Sequence, residues 1–101
     1  MFTIIFPVLN ERLRLESGVT RTVEYLRKIA FEDYEIIIVD NGSEDETPQI
    51  AEMLCQKYEK VRYERINVRG VGAAFRRGVE LSHGDVVGYI CLLYTSDAAD
   101  E

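Results

Sequence analysis

The chain has 101 residues, which is room for one small domain and one core. With 47% hydrophobic and 30% charged residues it excludes a disordered segment. A net charge of −6 without any basic tract excludes a nucleic-acid footprint, while a small anionic ligand stays open because N–H groups and single arginines can hold one.

In chain order, Phe2 to Phe6 predicts a first strand that stops at Pro7. The apolar opening is too short for a signal peptide and has no basic lead-in, and no run reaches the roughly 18 apolar residues of a membrane helix. Ser17 is placed to cap a helix running to about Ala30, with Val19, Val23, Leu26 and Ala30 at helical spacing. Tyr34 to Val39 is a continuous apolar strand, the pattern of a strand covered on both faces. Thr47-Pro48 predicts an N-cap followed by Pro at the first helical position, and Ile50, Leu54 and Tyr58 mark the helix's inner side. Val61 to Ile66 is a third strand whose weak alternation suits a sheet edge. A helix over 71–81 and a strand over 86–90 follow. Strands alternating with helices demand parallel pairing, so the reading is a Rossmann-like α/β unit with sheet order 3-2-1-4. Ligands of such sheets sit beyond the carboxyl ends of the strands, which selects the loops at 7–12, 40–46 and 67–72.

The first loop, Pro7-Val8-Leu9-Asn10-Glu11, places Asn10 and Glu11 at that edge, although both are ordinary loop residues. In the second, Asp40 ends a buried strand and Asn41-Gly42-Ser43 makes a tight turn. An acid there can accept a hydrogen bond from a base N–H or a ribose hydroxyl. A helix-capping or turn-forming role for Asp40 is disfavoured because Thr47 already serves as the cap. The third loop, Asn67-Val68-Arg69-Gly70-Val71-Gly72-Ala73-Ala74, leads into a helix whose free N–H groups suit a phosphate, with Arg69 beside it. Gly70 and Gly72 permit close backbone approach, whereas most of the small residues here serve helix-on-sheet packing. Arg76 and Arg77 read as a solvated face. The pattern is not a dinucleotide fingerprint, which follows the first strand and needs a third glycine where Phe75 stands. Cys55 and Cys91 lack metal-ligand spacing and read as buried, reduced thiols of a cytoplasmic protein. His83, in Ser82-His83-Gly84-Asp85, reads as an exposed turn residue.

Pro7-Val8-Leu9-Asn10-Glu11, Ile37-Ile38-Val39-Asp40-Asn41-Gly42-Ser43-x-Asp45-x-Thr47 and Arg69-Gly70-x-Gly72-Ala73-Ala74 resemble, in order and spacing, the family-2 glycosyltransferases of the GT-A fold. The third block is most similar to the polyprenyl (dolichyl) phosphate sugar transferases. The resemblance covers residues 2–90. It implies that Pro7, Leu9 and Glu11 line the nucleotide pocket, that Asp40, with Asn41 beside it, holds the base, and that Arg69 lies beside the nucleotide. The family often has a second Asp where Asn41 stands and Gly where Glu46 stands. It would also place Asp-x-Asp just after Ile90, to hold Mg or Mn against the pyrophosphate, where this chain has Cys91-Leu92-Leu93.

The resemblance therefore implies the front half of a transferase that takes a sugar from a nucleoside diphosphate and passes it, with inversion, to a polyprenyl phosphate or a glycan. Residues 1–90 would be that nucleotide-sugar-binding half, with no catalytic base, no metal ligands and no turnover of its own. Membrane association, at the cytoplasmic face, would come only through regions outside this chain. The alternative is a non-catalytic nucleotide-binding or interaction domain of the same fold. Residues 91–101 are similar to the frame translation of a transposase-type sequencing adapter, so they are expected to be a non-native tail. Cys91 to Tyr94 are strand-compatible and are expected to prolong the fourth strand, with 95–101 loose.

Overall fold

The computed structural model describes residues 1–92. Seven elements alternate along it: β1 (Phe2–Val8), α1 (Leu15–Lys28), β2 (Tyr34–Asp40), α2 (Thr47–Lys57), β3 (Val61–Arg65), α3 (Val71–Leu81) and β4 (Val86–Tyr89). The four strands form one parallel sheet in the order β3-β2-β1-β4. β-Branched side chains favour the extended backbone of Ile36-Ile37-Ile38-Val39, and all four are fully buried because helices cover both faces.

Right-handed crossovers dictate which helix goes where. The chain steps β1 to β2 to β3 in one direction and returns past β1 to β4, so α1 and α2 share one face and α3 takes the other. On the first face, Ile4, Phe6, Val8, Ile36 and Ile38 pack against Leu15, Val19, Val23, Leu26, Ala51 and Leu54. On the second, a smaller core joins Ile5, Ile37, Val39 and Ala74. Gly78 lets α3 lie close to β1, since a Cβ there would meet Ile5 Cδ1 at 2.5 Å.

Several local expectations are corrected. Pro7 does not end β1, which continues through Val8 paired with Asp40. Odd residues of β1 turn their backbone toward β4, as the bonds Asp85 N–H to Met1 O and Ile90 N–H to Ile5 O show. Pro7 therefore faces the side where the β4 ladder has already finished at Ile5↔Tyr89, and no N–H is needed. Helix α1 starts before Ser17, because the N–H groups of Arg14 and Leu15 already bond to the Glu11 carbonyl; Ser17 Oγ turns back to Arg14 O inside the helix. Ala30 lies past the helix end at φ 59° and is exposed, where the chain turns toward β2. Thr47 is the first residue of α2 rather than its cap; Glu46 occupies the cap position without a side-chain bond. Cys91 and Leu92 do not prolong β4: Leu92 is buried in the larger core against Gly18. The expectations for Leu93 and Tyr94 and for residues 95–101 lie outside the described residues. Cys55 and Cys91 are half-buried rather than buried, and they are not joined in a disulfide. His83 is exposed as expected.

Candidate functional site at the carboxyl edge of the sheet

The three loops beyond β1, β2 and β3 are laced into one surface. Asn10 N–H donates to Ser43 Oγ (2.8 Å), Glu11 N–H to Thr47 Oγ1 (2.8 Å) and Arg12 N–H to Asp45 Oδ2 (3.3 Å), while Glu44 N–H donates to Asn10 Oδ1 (2.8 Å). Asn10 takes a left-handed backbone, φ 53°, which Asn tolerates better than most residues. Asn41 Nδ2 donates to the carbonyls of Val68 (2.8 Å) and Gly70 (3.1 Å), which ties the third loop to the second. The hydroxyls and carboxylate of Ser43, Asp45 and Thr47 thus serve as loop connectors. Their two-residue spacing was visible in sequence, but their partners in the first loop were not.

Asp40 sits at the centre of this surface and is fully buried. Its Oδ1 accepts the N–H groups of Gly42 (3.0 Å) and Ser43 (2.7 Å). This turn-forming role, disfavoured on the sequence, is real, and the premise against it fails because Thr47 is not a cap and accepts from Glu11 N–H instead. Oδ2 accepts the Tyr63 hydroxyl at 2.7 Å and lies 3.6 Å from Arg65 Nη1. Burial, the bond to Asp40 and the adjacent negative charge push the Tyr63 phenol up to about 12.

The other expected site residues are placed as follows. Glu11 is buried, with Oε1 3.0 Å from Arg14 Nη1. Pro7 is buried in the sheet beside Val39, and Leu9 is partly exposed. Asn41 is buried and spends its amide on the third loop. Arg69 is exposed and makes no hydrogen bond or ion pair among the described residues. Glu11, Asp40 and Arg69 therefore share an edge through their loops, with no hydrogen bond or ion pair linking one to another. Gly72 has nothing within 4 Å of its would-be Cβ, so the start of α3 is open rather than packed, and its first turn has neither an acidic residue nor a side-chain cap. Uncapped N–H groups at a helix start attract anions.

The weak alternation of β3 has a physical cause: both of its faces carry polar pairs. Tyr63 and Arg65 meet Asp40 on one face. On the other, Arg62 meets Glu35 at 3.0 Å and Glu64 meets Arg77 at 2.9 Å. Arg77 is therefore partnered, also to Glu80, rather than simply solvated. Glu35, near the start of β2, was missed in the sequence because it sits inside an apolar run. Its carboxylate accepts from Thr3 Oγ1 (2.7 Å), His83 N–H (2.6 Å) and Arg62. Burial works to raise its pKa, but these three donors outweigh burial and hold it below the usual carboxylate value.

A cavity of about 650 Å³ lies at the opposite, amino edge, lined by residues including Arg27, Phe31, Tyr34, Lys57, Tyr58 and Lys60. It is bounded by the C-terminal ends of α1 and α2, whose carbonyl dipoles are complemented by Arg27, Lys28 and Lys57. Those cations are already matched to the helix ends, so the open start of α3 suits a phosphate better. Among the described residues no group of three or more His, Cys, Asp or Glu could hold a metal ion, so they do not fit the divalent ion that the resemblance implies. Among them, no helix is long and apolar enough to cross a membrane.

Comparison with known proteins agrees with this geometry. The family model described as glycosyl transferase family 2 matches residues 3–95. The dolichyl-phosphate beta-glucosyltransferase of Mus musculus is 39% identical over 92 residues, covering 84% of this chain and 28% of that protein. The dolichol-phosphate mannosyltransferase of Pyrococcus furiosus is 34% identical over 84 residues, covering 83% and 23%. The chain thus spans about a quarter of the length of these relatives. Among solved structures, glucosyl-3-phosphoglycerate synthase from Mycobacterium tuberculosis in complex with phosphoglyceric acid superposes with TM-score 0.70 at 28% identity, over 91% of this chain and 33% of that one. The mannosyltransferase PcManGT from Pyrobaculum calidifontis, in complex with GDP-Man and Mn2+, shares the fold with TM-score 0.67 at 19% identity, over 85% and 25%. The sheet order, the loop motifs at its carboxyl edge and the family match converge: this chain belongs to glycosyl transferase family 2.

Proposed function

We propose that the chain is the donor-nucleotide half of a glycosyltransferase that moves a sugar, with inversion, from a nucleoside diphosphate to an acceptor such as a polyprenyl phosphate. The observation that carries this reading is the laced carboxyl edge, where a buried acid, Asp40, lies in the same loop surface as the uncapped start of α3 and Arg69, which has no partner among the described residues. An acid that accepts from a base N–H and a helix start that meets phosphates are the two ends a nucleoside diphosphate needs. The relatives named for dolichyl or dolichol phosphate support a lipid-phosphate acceptor. Such an acceptor is already an anion and needs no general base to attack the anomeric carbon.

The residues present supply binding and orientation of the leaving nucleoside diphosphate. Glu11, Asp40, Asn41 and Arg69, with Pro7 and Leu9, form the nucleotide pocket in this reading. PcManGT carries Mn2+ with its GDP-Man, and a divalent ion in the complete enzyme would neutralise charge on the pyrophosphate. Calorimetric titration of the chain with UDP and GDP tests the reading. One of them should bind, and Asp40→Ala should weaken it by about 1.5–3 kcal/mol, the worth of one charge-assisted bond. Failure of the chain to bind either nucleotide refutes the assignment.

A further inference from the structure

We infer that Tyr63 is a positioning residue of this site: its hydroxyl orients the Asp40 carboxylate so that one acceptor position on Oδ2 is presented to an N–H of the bound base. The inference rests on the nucleotide-binding reading above and adds a residue from β3, a strand that none of the recognisable motifs reaches.

A carboxylate has about four acceptor positions. In Asp40, two on Oδ1 are filled by the N–H groups of Gly42 and Ser43, and one on Oδ2 is filled by Tyr63 at 2.7 Å. The fourth is faced by Arg65 Nη1 at 3.6 Å, beyond hydrogen-bond range, from a side chain that is 45% exposed. The parallel register sets Tyr63 beside Ile38 and Arg65 beside Asp40, which brings both to the face on which the Asp40 side chain lies. Asp40 is itself fully buried, so an incoming N–H reaches the fourth position only as the half-exposed Arg65 side chain swings aside, which breaks no hydrogen bond to Asp40. Displacing Tyr63 would instead break a short, half-buried bond. The terminal torsion of an aspartate is soft, so the backbone N–H groups anchor Oδ1 and the phenol fixes the remaining rotation. The phenol keeps its proton throughout the neutral range and stays a donor.

The test titrates the 101-residue chain and Tyr63→Phe with UDP and with GDP, by calorimetry. In parallel, the unsubstituted chain carrying 13Cζ-labelled tyrosine is titrated and followed by NMR. Tyr63→Phe keeps the ring and removes only the hydroxyl. It should weaken the better nucleotide by about fivefold to tenfold, the loss of one hydrogen bond's orientation. The Tyr63 Cζ resonance, identified by its absence in Tyr63→Phe, should shift on saturation, while that of Tyr34 at the opposite edge stays put. Binding to the unsubstituted chain that is unchanged in Tyr63→Phe, with an unmoved Tyr63 resonance, overturns the inference and leaves the nucleotide site standing. Absence of binding to the unsubstituted chain overturns both.

Discussion

Two acids on one strand meet opposite fates. Glu35 and Asp40 both lie on β2, both are buried, and each is met by a hydroxyl and an arginine from neighbouring strands. At Glu35 the arginine is within hydrogen-bond distance, and Arg62 also reaches Leu81 O at 2.8 Å, so the carboxylate joins β1, β3 and the turn after α3. At Asp40 the arginine stands off at 3.6 Å, and the start of α3 on the same edge has no side-chain cap. The amino-edge acid is a structural latch, fully matched by its own chain. The carboxyl-edge acid keeps capacity for something outside it. A buried, hydrogen-bonded acid is therefore not a site by virtue of burial; the unfilled acceptor position makes the difference.

The largest effect expected from breaking this contrast is in Glu35→Ala, which leaves the His83 N–H without its acceptor and takes one partner each from Arg62 and the Thr3 hydroxyl. It should cost about 2–3 kcal/mol in urea denaturation, without changing nucleotide affinity in calorimetry. A loss of nucleotide affinity at unchanged stability would erase the distinction between the two acids.

Glycines sharpen the same contrast. A Cβ on Gly84, beside the latch, would meet Thr3 Oγ1 at 2.5 Å and Met1 O at 2.6 Å. Gly84→Ala should cost about 1–3 kcal/mol, as overpacking does. Gly72, at the open start of α3, has no neighbour to meet. Gly72→Ala should leave the fold equally stable or strengthen it by up to about 1 kcal/mol through helix propensity, checked by thermal melting. If the α3 start approaches the phosphates, the same substitution should weaken UDP or GDP binding.

The smallest expected effects are in pH dependence. The folded-state pKa of Glu35 is lowered from 4.5, so its contribution to stability is present above that value and lost as pH falls through the folded one. Glu35→Gln should flatten the acid limb of the stability profile. Tyr63 titrates the other way: raised from 10.0 to about 12, it contributes fully below 10.0 and loses that contribution as pH climbs toward 12. Tyr63→Phe should flatten the alkaline limb. Equilibrium denaturation across pH checks both.

The fold was largely legible in the residues. Uninterrupted apolar runs at strand length, helical spacing between them and the parallel pairing this alternation requires led to the observed order β3-β2-β1-β4. Boundaries were less so, because capping residues answer to partners far away in sequence. Thr47 looked like a cap and became the acceptor for Glu11 N–H, 36 residues away. Ser17 looked like a helix start, but the Glu11 carbonyl had begun the helix earlier.

What the sequence by itself determined is the strand-helix alternation, and with it which loops share the carboxyl edge, since short-range patterning and crossover handedness decide both. Tertiary structure alone decided how each polar side chain is spent. Asp45 and Ser43 bind the first loop, Asn41 binds the third, Glu35 closes a latch, and Tyr63 reaches Asp40 from a strand that no motif marks. A hydrogen bond or ion pair acts over about 3 Å, and groups brought that close by the packed sheet are dozens of residues apart along the chain, where no local pattern records the meeting.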